Sequence, residues 1–113
     1  MEMSILNDIK KMIGLDENYT VFDQDLIIHI NSVFMILTQM GVGPEEGYRI
    51  TGASNEWSEF TNDDLLMESV KTYIYQKVRL IFDPPQNSAL LQAIQSSVKE
   101  LEWRLNVACD TGI

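Results

Sequence analysis

One cysteine, one histidine and eight basic residues are all that 113 positions contain of the groups that most often carry chemistry. A single cysteine, Cys109, excludes an internal disulfide, and with Arg104 as its nearest basic neighbour nothing activates a thiolate. The single histidine, His29, sits in an apolar helical stretch with Asp25 one turn earlier as its nearest acid. That is the setting of a packed or capping imidazole, because a general base needs a poised group and an orienting partner. The acidic pairs Asp16-Glu17, Glu45-Glu46 and Asp63-Asp64 lack the alternating oxygen ligands of a calcium loop and the Glu-x-x-His pairs of a di-metal bundle. Gly41-Val42-Gly43 lacks the third glycine and the preceding strand of a dinucleotide fingerprint, and no phosphate-binding Gly-Lys-Ser/Thr loop occurs. The expectation is no enzyme, no cofactor and no metal.

Long apolar runs are missing as well. Leu26 to Ile30 and Val33 to Leu37 are interrupted by His29, Asn31 and Ser32, far short of the ~20 residues of a membrane span. Between Met1 and Ile13 the lysines, Lys10 and Lys11, follow the apolar residues, with Glu2 and Asp8 before them. This reverses the order of a secretory signal, so assembly in the cytoplasm is expected, without a membrane partner.

Basic charge is scarce where acid is plentiful. The net charge is −9, with three Lys/Arg against ten Asp/Glu in residues 1–62 and five against seven in 63–113. Duplex DNA carries one negative charge per ~1.7 Å of axis and is held mainly by Lys and Arg, so this chain should repel it.

What is present is a foldable pattern. Apolar residues make up 45% and charged ones 22%, ordinary for one domain, and a chain of this length buries roughly two-thirds of its surface on folding. Ser4 caps a first helix carrying Ile5, Leu6, Ile9, Met12 and Ile13, stopped by Gly14. Asp23 reads as the cap of a second, with Phe22 and Ile27 as a hydrophobic staple. This helix extends to Met40 and shows apolar residues on more than one face, so it should be the most buried element.

From Gly41 to Phe60 no helical period persists, and Gly41, Gly43, Pro44, Gly47 and Gly52 favour turns, with a short strand at Tyr48 to Thr51. So long a loop is either a solvated excursion or functional, which draws notice to Glu45, Glu46, Trp57 and Glu59. Thr61 to Asp64 resembles a capping box, with Phe60 and Leu65 as its staple, opening a third helix through Leu66, Val70, Tyr73, Ile74, Val78 and Ile81. Pro84 and Pro85 stop it. A fourth helix, about Ser88 to Ala108 and roughly 30 Å long, carries Leu91, Ile94, Val98, Leu101, Leu105 and Ala108 as one stripe. The sum is an all-α fold: a small bundle of about four helices in a single domain over 1–113, with a C-terminal helical hairpin and a long loop between the second and third helices.

Contact chemistry remains. Trp57, Trp103, Tyr73, Tyr75 and Arg104 are residue types that anchor interfaces, although the core should claim Tyr73; Trp103 falls off the fourth helix's stripe, toward a second surface.

Two segments carry a family resemblance. The third helix ends Tyr73-Ile-Tyr-Gln-Lys-Val-Arg-Leu-Ile-Phe-Asp-Pro-Pro85, and the fourth contains Glu100-Leu-Glu-Trp-Arg-Leu-Asn-Val-Ala108. Over about residues 61–108 the chain resembles the head-tail connector (adaptor, or head-completion) proteins of tailed bacteriophages. The resemblance implies a homo-oligomeric ring, usually of twelve copies, in the virion neck between the portal protein and a tail or stopper protein, with genome DNA passing through without specific binding. A ring needs two different surfaces on each subunit, because a self-complementary patch closes as a dimer. On this reading Trp57, Phe82, Asp83, Pro84, Pro85, Trp103 and Arg104 are the expected subunit or portal contacts. Glu45, Glu46, Glu56 and Glu59 are the expected channel-facing acids, since charge beyond ~8 Å is screened and an acidic wall keeps a duplex from sticking. The competing reading is an acidic DNA mimic that blocks a nucleic-acid-binding protein. Such mimics line carboxylates along one face, whereas Lys99, Glu100, Glu102 and Arg104 mix their signs.

Overall fold

Two helices of the chain end in the same way, and that ending sets the bundle's corners. In the computed structural model, which describes residues 4–110 with side chains as far as Val107, α1 spans Ile5–Met12 and α2 spans Asp23–Gln39. Gly14 (φ 91°) and Gly41 (φ 85°) follow their C-caps in the left-handed region, which a glycine enters without steric cost. Beyond them Leu15 N–H returns to Lys10 O at 2.8 Å and Val42 N–H to Leu37 O at 2.9 Å, closing carbonyls a helix end leaves open. A 3-10 turn at Trp57–Glu59 precedes α3 (Asp64–Phe82) and α4 (Ser88–Asp110). Glu2 and the side chains of Ala108 and Cys109, invoked above, lie outside the described residues.

The described residues form an all-α bundle of four helices with no extended strands; an isolated bridge joins Ser4 to Glu56. α3 is the hub, packing on α1, α2 and α4, and Val70, Tyr73, Ile74 and Val78 are its buried residues. α4 takes α3 as its principal neighbour. The two run antiparallel: Tyr73 OH donates to Glu102 at 2.7 Å, while Leu80 lies beside Val98 and Leu66 beside Leu105. Asp83 leaves the helix at φ −148°, ψ 69°, as a residue before proline must, and Asn87 Oδ1 caps α4 by accepting from Leu90 N–H at 3.0 Å. The expected stripe holds: Ile94, Val98 and Leu105 are buried and Leu91 and Leu101 half-buried.

Several local expectations change. Asp23 is not the cap of α2; Phe22 occupies that position without a side-chain cap bond. Lys10 explains the difference, for its buried ammonium donates to Glu17 O at 2.9 Å and draws the Asp23 carboxylate into an ion pair, with Oδ1 at 2.9 Å. Phe22 meets Phe82 edge to face at 5.0 Å. At α3, the cap is Asp63, accepting from Leu65 and Leu66 N–H at 3.1 and 3.2 Å, rather than Thr61, which accepts from Asp63 N–H. That register turns Leu66 toward the core and leaves Leu65 80% exposed, so no staple forms with Phe60. No strand forms at Tyr48 to Thr51, because no neighbouring strand offers a ladder; Asn31 instead takes both Ile50 backbone groups, at 2.7 and 2.9 Å. The loop is no solvated excursion. Val42, Ile50, Trp57 and Phe60 are buried in the same core cluster as the helices, and Phe34, Tyr48 and Phe60 pack ring on ring.

Candidate interaction surfaces

The described residues include no group of three or more His, Cys, Asp or Glu able to hold a metal ion, and no helix long and apolar enough to cross a membrane. His29 is half-buried on α2.

Trp57 leaves the set of surface contacts. It is 1% exposed, its Nε1–H donates to Asp8 Oδ2 at 2.7 Å, and the Lys71 ammonium lies 5.2 Å from its ring centroid and 3.4 Å from the same carboxylate. A buried indole needs an acceptor for its N–H, and Asp8 on α1 provides it, so the tryptophan locks loop, α1 and α3 together. Its loop position suggested exposure because nothing local signals a partner 49 residues away.

The four loop acids part company. Glu59 is engaged within the loop: its carboxylate accepts from Asn55 Nδ2 at 3.1 Å, Tyr48 OH at 2.9 Å and Glu56 N–H at 3.2 Å. These bonds, led by Asn55, hold its pKa below the usual glutamate range, while burial and the Glu59 bond push Tyr48 up. Glu56 is exposed beside the bridge to Ser4. Glu45 and Glu46 project from a turn closed by Gly47 N–H on Pro44 O at 3.0 Å.

At the hairpin's tip Asp83 and Pro84 are exposed, Pro85 is half-buried, and Phe82 is half-buried against Phe22. Far along α4 Trp103 stands 66% exposed, with Arg104 beside it paired to Glu100 at 3.0 Å. The tip and the Trp103 region are thus separate places, not one patch.

A further surface went unrecognised in the sequence. Ile28 and Met35 of α2 are 61% and 63% exposed and line a groove of about 500 Å³ with Tyr48, Arg49 and Glu46. The signal was α2's apolar residues on more than one face, which pointed to α2 as the most buried element; one of those faces meets solvent.

The family model described as "Phage connector protein" matches residues 5–112, nearly the whole chain. The chain belongs to the phage connector family. No curated protein and no solved structure matches it. Membership gives this connector a structural role in a bacteriophage, in assembly with portal or tail components. That role asks for exposed contact surfaces on a rigid body. In this connector the Trp57–Asp8–Lys71 cluster ties the loop to α1 and α3 and the Lys10–Asp23 pair ties α1 to α2, while exposed large apolar side chains include Ile28 and Met35 on α2, Leu65 and Ile81 on α3, and Leu90 and Trp103 on α4.

Proposed function

We propose that this connector is a subunit of a ring, of twelve copies, that joins the portal protein to a tail or stopper protein in the virion neck and surrounds the channel of the genome. The ring assembles in the host cytoplasm and performs no catalysis. The observation that carries this reading is Trp103, a large aromatic side chain 66% exposed on a helix whose opposite face is packed, in a chain that matches the connector family almost end to end. Trp anchors protein interfaces because a rigid ring buries much area, and Arg because its planar guanidinium presents several donors in a fixed fork; Trp103 with Arg104 supplies both. The hairpin tip at Asp83, Pro84 and Pro85 is available to a portal or tail neighbour. Glu45 and Glu46, exposed and unpaired with any base among the described residues, suit a channel wall that repels duplex DNA.

Truncating Trp103 to Ala tests the reading. Circular dichroism should show an intact fold, while association weakens by more than ~2 kcal/mol and electron micrographs of assembled particles show necks without the ring. Necks that keep an intact ring would take Trp103 out of the interface. Wild-type necks that lack this protein altogether would remove the function.

A further inference from the structure

The ring reading leaves open what receives Trp103. We infer that the outer face of α4 seats in the groove on α2 of the next copy of this chain, so that the helical layer continues from subunit to subunit; the inference rests on the ring reading above.

Three observations converge. At roughly 100° per residue, Ile28 and Met35 fall on the side of α2 opposite its buried Leu26, Ile30, Val33 and Leu37, and Trp103 falls on the side of α4 opposite Ile94, Val98 and Leu105. Since α3 is the common partner of both helices, each apolar face points away from α3 and the two cannot meet within one subunit. They are two different surfaces looking outward on separate sides of the molecule, the requirement for head-to-tail closure. Their shapes are also complementary: one is a groove of about 500 Å³, inside the ~300–1,000 Å³ range that accommodates large organic groups, and the other a projecting indole.

The charges agree. Copies of a chain of net charge −9 repel one another, so contact needs a surface where bases are concentrated. The exposed Lys and Arg are Lys11, Arg49, Lys99 and Arg104. Three of these four border the two faces: Arg49 lines the groove, and Lys99 and Arg104 flank Trp103. Arg49 and Lys99 make no ion pair among the described residues. The α4 face also carries an exposed acid, Glu100, paired within the subunit with Arg104, so Arg49 of the groove can join that pair across the joint.

The test is directional cross-linking on assembled neck particles. With Cys109→Ser as background, Ser32→Cys labels the groove and Ser96→Cys labels the outer face of α4, leaving Ile28, Met35 and Trp103 in place. After treatment with a short bis-maleimide, the chain with both cysteines should give a ladder of covalent multimers and each single-cysteine chain should remain monomeric. A mixture of the two single-cysteine chains should stop at dimers. Dimers from either single-cysteine chain alone would mean that like surfaces meet, and would overturn the α4-to-α2 joint. Intact neck rings without a ladder would overturn the joint and leave the ring standing. Necks without any ring of this protein would overturn both.

Discussion

The Trp57 indole and the Asp8 carboxylate meet at 2.7 Å in the interior, 49 residues apart in sequence, with Lys71 at 3.4 Å from the same carboxylate. Three separate elements, α1, the loop and α3, therefore close on one carboxylate. Neither partner tolerates loss alone: without the indole, a nearly buried charge keeps only Lys71, which is itself partly solvated.

Trp57→Ala should destabilise the fold by about 3 to 5 kcal/mol, the usual cost of removing a buried tryptophan. Urea unfolding followed by circular dichroism measures it. A change under ~0.5 kcal/mol, typical of a surface site, would show that the loop does not pack as described. The same measurement on Trp103→Ala should give that small value, separating the core tryptophan from the contact tryptophan.

Along α4, Leu105→Ala should cost about 2 to 5 kcal/mol because Leu105 is buried against α3. Leu101 is only half-buried, so Leu101→Ala should cost less than Leu105→Ala. Equal losses in parallel urea titrations would mean that α4 is rotated relative to α3.

Glu59 gives the loop a dependence on acid. Its pKa is depressed in the folded chain by the Asn55, Tyr48 and Glu56 bonds, so its stabilising effect is fully present above the usual glutamate range and fades as pH falls through the folded value. Wild type should therefore exceed Glu59→Gln in stability at neutral pH, with the gap closing as the solution is acidified below the usual range. A gap that widened on acidification would contradict the assigned bonds.

Duplex DNA should not bind at physiological salt. Of the eight bases, Lys10, Lys71, Lys77 and Arg104 are engaged by Asp23, Asp8, Glu102 and Glu100, which leaves little positive charge to hold a phosphate backbone. A fluorescence titration with labelled duplex should stay flat. Tight binding that weakens steeply with salt would reveal a basic patch and sink the repelling-channel proposal.

By itself, the sequence determined what depends on neighbours in the chain. Helical period, the glycine stops at Gly14 and Gly41 and the break at Pro84-Pro85 are local, so the all-α class, the helix order and the α3–α4 hairpin were legible, as was the connector family, through a resemblance carried by the residues of that hairpin. Tertiary structure alone decided which caps and faces were used. Asp23 could cap α2 until the buried Lys10 claimed its carboxylate, and Thr61 lost the cap of α3 to Asp63 once Leu66 had to face the core. Trp57 and Trp103 are the same residue type in unremarkable contexts; one is buried because Asp8 waits 49 positions away, and the other is exposed because α4 spends its apolar stripe on α3. The second apolar face of α2 was visible as pattern, but only the placement of α3 on one side showed that the other side is open. Burial is a property of the assembled chain, and periodicity records that a face is apolar without recording what covers it.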